Sequence, residues 1–332
     1  SYKPKIKIYN TNNNDILKIY NQAVSDGADF IVGPLDKEAV QKISAMENIP
    51  VRTLALNQID ISTNTHTLDK IVPLHNFVQF GLPPEDEARQ VAQRGIFEGY
   101  NRALVVTSND EFGHRVFNAF HDEWTAMGGN VLEKVEYDLR TTDFVTPIKQ
   151  LLNINSSEQR FTNLRQRLSR NLVYNSRLRE DAEFIFVVGT NLTARQVVPH
   201  LRFFRAEGIP IYSISSVYSG NENPQTDSDL NGVEFVDIPW LLRGDIEPSS
   251  LASQIRDNWD TDSTVFPRYY AFGVDAFRLI SNIGDLMLKT NNKYLGETGH
   301  LYLTVEGKIR RNLIWAKFDK GIPVPLSTGN TH

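Results

Sequence analysis

The sequence predicts an α/β protein built as two doubly wound parallel-sheet lobes joined by several crossovers. Two observations lead there. Phe184 to Val188 is a short, unbroken apolar run rich in aromatic and β-branched residues, the pattern of a strand buried on both faces. Val197, Val198, Leu201 and Phe204 then recur at helical spacing before a second apolar run, Ile209 to Ile214. Strand, helix, strand with short links is the unit of a parallel sheet, with a right-handed crossover. The same unit occurs earlier: Ala28 to Gly33 echoes Ala182 to Gly189, and Ile49-Pro50-Val51 echoes Ile209-Pro210-Ile211. At 332 residues the chain is long enough for two core-bearing lobes. We assign residues 1–100 with 243–299 to one lobe, and 101–242 with 300–332 to the other.

Taken in order, Lys5 to Tyr9 alternates lysine with isoleucine or tyrosine and predicts a strand. Ile16, Ile19, Tyr20, Ala23 and Val24 share a helix face that Gly27 closes. Phe30 to Val32 is the next strand, Gly33-Pro34 turns the chain into a helix carrying Val40 and Ile43, and Val51 to Leu56 is a strand ending at Asn57. The polar, aperiodic stretch Ile59 to His75 predicts a long surface loop, and Asn76 to Phe80 resumes a strand. Pro83-Pro84 precedes Glu85, Asp86 and Glu87, three acids placed where the positive end of a helix dipole favours them. Ala88, Val91, Ala92 and Ile96 form the buried stripe of that helix.

Leu104 to Thr107 opens the second lobe as a strand, and Val116, Phe120, Trp124 and Met127 line a helix stopped by Gly128-Gly129. Val131 to Tyr137 is a strand and Phe144 to Leu152 a helix. Asn153 to Asp181 is polar and carries Arg160, Arg165, Arg167, Arg170, Arg177 and Arg179. It is either a solvated helical insertion or a docking surface, and a charge run is more often the former. In the central unit Thr193 is expected to cap the helix and Gly208 to end it, with Pro199 kinking or starting it. Ser219 to Asn231 is a loop and Val233 to Val236 a strand. Arg268 to Leu279 is a helix with Tyr269, Phe272, Ala276 and Leu279 inward. Leu301 to Val305 and Leu313 to Phe318 form a hairpin around Glu306-Gly307.

A net charge of −5 supplies no global basic field for nucleic acid. The absence of cysteine rules out disulfides, thiolate catalysis and cysteine metal sites. No apolar run approaches the roughly 20 residues that span a bilayer. The opening SYKPKIKIYN has no signal-peptide pattern, so any export or anchoring segment is expected upstream. The seven histidines are scattered; His114 and His121 lie about two turns apart, and two ligands do not make a metal site. No GxSxG elbow, GxGxxG fingerprint or phosphate loop is present, and Ser213, Ser215 and Ser216 suit a strand end. Neither an enzyme nor a cofactor or metal is expected.

Several ordered blocks carry a family resemblance: GADFIVGPL at Gly27 to Leu35, LALN at Leu54 to Asn57, FGLPPEDEARQVA at Phe80 to Ala92, FGHRVFNAF at Phe112 to Phe120, IPIYSISSVYSG at Ile209 to Gly220, DLNGVEFVDIPW at Asp229 to Trp240 and RYYAFGVDAF at Arg268 to Phe277. Over nearly its whole length the chain resembles the C-terminal domain of the LpoA family of outer-membrane lipoproteins, which activate a bifunctional penicillin-binding protein. The resemblance implies a type I periplasmic-binding-protein-like fold and a non-catalytic role: docking on that synthase to stimulate peptidoglycan transpeptidation. It also implies a periplasmic domain, held at the inner face of the outer membrane only by an N-terminal lipid anchor outside this chain. Family members begin the domain with a strand, a turn resembling LPLSG and a helix. This chain starts at what reads as the second strand, so the first strand-helix unit is expected to be absent.

Two roles follow as expectations. As an interaction module, the chain would dock through Arg160, Arg165, Arg167 and Arg170. As a periplasmic receptor for a small ligand, an amino acid or a muropeptide, it would use strand-end groups lining a cleft: Thr11, Gly33, Asn57, Ser108, Asn109, Thr190, Ser215, Tyr218 and Asp237. The same polar residues suit helix caps and turns, and that plainer reading is preferred.

Overall fold

The computed structural model describes residues 4–12, 14–59, 76–141, 143–168, 179–243, 251–258, 266–288 and 293–326. The first run of elements is α1 (Ile16–Ser25), β1 (Phe30–Val32), α2 (Lys37–Ser44), β2 (Arg52–Ala55), β3 (Phe77–Phe80), α3 (Pro84–Phe97), β4 (Arg102–Ser108), α4 (Glu111–Ala126), β5 (Asn130–Tyr137), α5 (Val145–Leu151) and α6 (Ile154–Leu168). There follow β6 (Phe184–Val187), α7 (Asn191–Phe203), β7 (Ile211–Ser213), α8 (Pro224–Asp227), β8 (Glu234–Asp237), α9 (Pro239–Arg243), α10 (Leu251–Asn258), α11 (Pro267–Leu288), β9 (Tyr294–Gly296), β10 (Gly299–Leu303), β11 (Lys308–Asn312), β12 (Ile314–Asp319) and β13 (Ile322–Pro325). They form two compact units, Ser1–Pro83 with Arg268–Arg311 and Pro84–Pro267 with Asn312–His332. The chain therefore crosses after Pro83, Pro267 and Arg311, where the sequence reading put the crossings after residues 100, 242 and 299. The first difference has a packing cause: α3 lies against α4, and a Cβ on its Gly95 would stand 2.8 Å from the Trp124 ring.

In the first unit the sheet order is β1-β2-β3-β11-β10-β9. β1, β2, β3 and β11 run parallel, with Phe30 opposite Arg52, Thr53 opposite Phe77 and Lys308 opposite Gln79; β9 and β10 are antiparallel. Helices cover both faces. Leu54, Val78, Phe80 and Ile309 bury against Phe272, Ala276, Leu279 and Ile283 of α11, while Ile16, Tyr20, Val40 and Ile43 of α1 and α2 pack on the other side. Asp15 and Asp36 cap α1 and α2, accepting from the Leu17 and Ala39 amides, so each short helix has a defined start.

Three expectations fail here. Lys5 to Tyr9 forms no strand. Ile6 and Ile8 are 72% and 90% exposed, and Lys7 Nζ and Tyr9 Oη each lie 2.6 Å from Asp26 Oδ2. Alternation makes a strand only where a neighbour completes the ladder, and β1 ends this sheet among the described residues. Tyr269 points outward at 63% exposure, because the helix sector that reaches the core runs through Phe272, Ala276 and Leu279. The hairpin partner of β10 is β11, not the Leu313 to Phe318 segment, which crosses to the other unit as β12. Residues 60–75 of the expected loop lie outside the described residues.

In the second unit the order is β13-β12-β8-β7-β6-β4-β5, with β8 to β5 parallel and the β12–β13 hairpin antiparallel at one edge. By chain order the parallel strands stand second, first, third, fourth, fifth, the doubly wound order whose direction reverses between β4 and β6. Leu104, Val106, Ile185 and Val187 bury against α5 and α7, and Phe120, Trp124 and Phe184 form an aromatic cluster with ring centroids 5.2–6.2 Å apart. The cap of α7 is Thr190, which accepts from the Thr193 amide, rather than Thr193 itself. Pro199 sits inside α7. The helix stops at Arg205, whose φ of 65° turns the chain before Gly208 is reached. The expected Ser219 to Asn231 loop contains α8 and a 3-10 turn at Ser228–Leu230.

Candidate functional site

In an open α/β sheet, ligands bind beyond the carboxyl ends of the strands where the winding reverses. In the second unit that place lies between Ser108, which ends β4, and the Val188 to Thr190 segment after β6. Ser108 Oγ donates to Asp110 Oδ1 at 2.6 Å, and the same oxygen accepts the Gly113 amide at 2.8 Å, capping α4. Gly113 permits this close approach, since a Cβ there would stand 2.1 Å from the Ser108 carbonyl oxygen. The Asn109 amide donates to the Tyr137 carbonyl at 2.8 Å. Tyr137, the last residue of β5, passes over the end of β4 and donates its hydroxyl to the Val188 carbonyl of the β6 side at 2.9 Å. Burial pushes its phenol up to about 12.

The neighbouring strand ends are filled in the same way. Thr190 spends its hydroxyl on the Thr193 amide, Ser216 Oγ donates to the Gly189 carbonyl at 2.7 Å, and Ser213 Oγ donates to the Val187 carbonyl at 2.7 Å. The Ser215 amide donates to Glu87 Oε2 at 2.9 Å, which ties the end of β7 to the first turn of α3. Asp237 is buried and accepts the Ile238 amide at 2.8 Å. Tyr218 is a core residue, its ring 6.0 Å from Phe235 and 6.1 Å from Phe318. Ser108, Asn109, Thr190, Ser215 and Asp237 thus gather at one end of the sheet, and each has a backbone or side-chain hydrogen bond that fastens a turn or ties the strand end to a neighbouring element.

In the first unit, Gly33 has φ +113° and donates its amide to the Leu54 carbonyl at 2.8 Å, while Asn57 Nδ2 donates to the Leu35 carbonyl at 2.8 Å and its Oδ1 accepts the Gln58 amide. These two sit together at the ends of β1 and β2. Thr11 is exposed and follows no strand, because Lys5 to Tyr9 forms none.

Of the arginines expected to dock, Arg160, Arg165 and Arg167 are exposed on α6, and Arg170 lies outside the described residues. Sequence reasoning missed Glu87 and Tyr137. Glu87 was hidden by a good reason for any acid at a helix start, and Tyr137 by its place at the end of a strand. An open depression of about 420 Å³, lined by Asn231, Gly232, Lys317, Lys320 and Val324 among others, lies along the β12–β13 hairpin, away from the candidate strand ends.

Two units, each a largely parallel sheet with helices on both faces, define the type I periplasmic-binding-protein-like class. An ABC transporter substrate-binding protein from Desulfitobacterium hafniense has the same fold, with a TM-score of 0.52 at 15% identity over 94% of this chain and 84% of that one. The chain belongs to the LppC family: the family described as "LppC putative lipoprotein" matches residues 1–321. It is similar to penicillin-binding protein activator LpoA of Escherichia coli K12, 27% identical over 348 residues, covering 97% of this chain and 48% of that protein. The LpoA C-domain of Haemophilus influenzae, described as a regulator of PBP1A, matches in fold with a TM-score of 0.68 at 23% identity, over 96% of this chain and 88% of that one. The chain spans about half the length of the curated relatives it matches.

Proposed function

We propose that this chain is the docking domain of an envelope lipoprotein that activates a bifunctional penicillin-binding protein, raising peptidoglycan transpeptidation by direct contact and catalysing no reaction itself. The observation that carries this reading is the spent switch point. Ser108, Asp110, Tyr137 and Thr190 satisfy one another and the local backbone, so they present no convergent set of donors to a ligand or a reacting group. The activator name of the Escherichia coli relative supports it. On this reading the domain is periplasmic, and the full-length protein is tethered by an N-terminal lipid to the inner face of the outer membrane.

The test is a pull-down of the matching penicillin-binding protein by the folded chain, followed by a cross-linking assay with the chain added. Binding with raised transpeptidation is the expected result; a folded chain that neither binds nor stimulates sinks the proposal. Calorimetry with free amino acids and muropeptides should give no heat. A saturable heat would favour the receptor role instead.

A further inference from the structure

Helix α6 carries Ile154, Ser157, Phe161, Leu164 and Leu168 at alternating spacings of three and four residues, which places them along one side. The first turn of this seam rests on the protein body, where Ile154 and Ser157 are buried. Beyond it the helix runs into solvent. Residues 162–168 are exposed all around the helix, and Leu164 and Leu168 are 49% and 50% exposed. At about 100° per residue, Arg160 and Arg167 fall on one flank of the seam and Arg165 on the other. Glu158 is held by Lys149 Nζ at 2.8 Å, and the three arginines have no acidic partner among the described residues. A positively charged helix with an apolar seam thus projects from a chain whose net charge is −5.

We propose that α6 is the helix through which the chain engages its synthase, seating Leu164 and Leu168 in an aliphatic groove rimmed by Asp and Glu side chains. The inference rests on the activator reading and adds the contact surface and the chemistry of its counterpart. A narrow three-and-four seam suits a groove between helices, whereas a helix lying on a bilayer presents a broad apolar face. Guanidinium groups on both flanks match carboxylates on both rims, and long-range attraction to an acidic partner speeds docking.

The experiment measures the affinity of the full-length lipoprotein for the purified bifunctional penicillin-binding protein at low and high salt, with circular dichroism as the check on folding. Two variants change only exposed positions: R160E/R165E/R167E and L164S/L168S. Charge reversal should weaken binding by about tenfold or more and flatten its salt dependence, while the seam variant should weaken it by about tenfold and keep that dependence. Wild-type binding that both variants match removes α6 from the interface and leaves the activator reading intact. A wild type that does not bind at all sinks the activator reading and the groove together. Seam-dependent retention on phosphatidylethanolamine–phosphatidylglycerol vesicles, or seam-dependent self-association, in place of an effect on the synthase would also overturn the proposal.

Discussion

The Tyr137 hydroxyl, at the end of β5, reaches over the end of β4 to donate to the Val188 carbonyl at 2.9 Å, so one side chain spans the place between β4 and β6 where the winding of the sheet reverses. Gly189 makes room for it, since a Cβ there would stand 2.8 Å from that hydroxyl. A crevice that binds ligands in other sheets of this class is occupied here by the protein itself.

Replacing Tyr137 with Phe should lower stability by about 1 kcal/mol, the net worth of one hydrogen bond, and leave synthase activation unchanged. The phenol adds a pH signature. Its folded value is raised to about 12 from 10, so its contribution is complete below pH 10 and is lost as pH rises through the folded value. Between those limits the wild type should lose roughly 2–3 kcal/mol that Y137F keeps. Urea titrations of both proteins across the alkaline range check this, and parallel curves would refute it.

Asp275 of α11 is buried and accepts the Glu297 amide at 2.8 Å, the Thr298 amide at 2.7 Å and Thr298 Oγ1 at 2.6 Å. Three donors converge on one carboxylate that fastens the β9–β10 turn to the helix. Asp275→Ala leaves those donors unpaired and should cost about 2–4 kcal/mol. The coupling between Asp275 and Thr298 can be read directly: in a double-mutant cycle of Asp275→Ala with Thr298→Ala, the two losses should add to more than the double variant shows. Strict additivity would mean that the turn is held by something else.

Much of the fold is legible in the sequence because the elements of the central unit state their period unambiguously. Phe184 to Val187 is apolar throughout and its strand is buried throughout. Other elements hide. In β11 the run Lys308–Asn312 looks polar, yet Ile309 and Arg311 are both buried, and a buried arginine breaks the alternation that marks a strand. The acids at the start of α3 show why site residues are harder still. Glu85 pairs with Arg115 at 2.7 Å, Asp86 with Arg89 at 3.0 Å, and Glu87 takes the Ser215 amide. A helix dipole accounts for all three equally, and only the tertiary packing tells them apart.

That distinction is testable at Glu87. Glu87→Ala leaves the half-buried Ser215 amide without its carboxylate and should cost about 1–2 kcal/mol. Glu87→Gln retains an acceptor oxygen and should lose less. Equal losses in the two variants, measured by thermal unfolding, would show that the charge rather than the hydrogen bond matters at this position.

The edge strand β13 carries a further consequence. The Leu326 amide donates to the Trp315 carbonyl of β12 at 2.8 Å, and backbone alternation then points residues 322 and 324 toward β12 and residues 323 and 325 away from it. The two outward positions are Pro323 and Pro325, neither of which has an amide hydrogen. The open edge of the seven-stranded sheet therefore offers carbonyls but lacks the donors that would template another strand. Replacing both prolines with Thr restores two outward N–H groups on a strand whose inward pairing is unchanged. Folding should survive, while sedimentation velocity at rising concentration should show association that the wild type lacks. A variant that stays as dispersed as the wild type would mean that β13 is too short to pair, and that its prolines serve the hairpin rather than the edge.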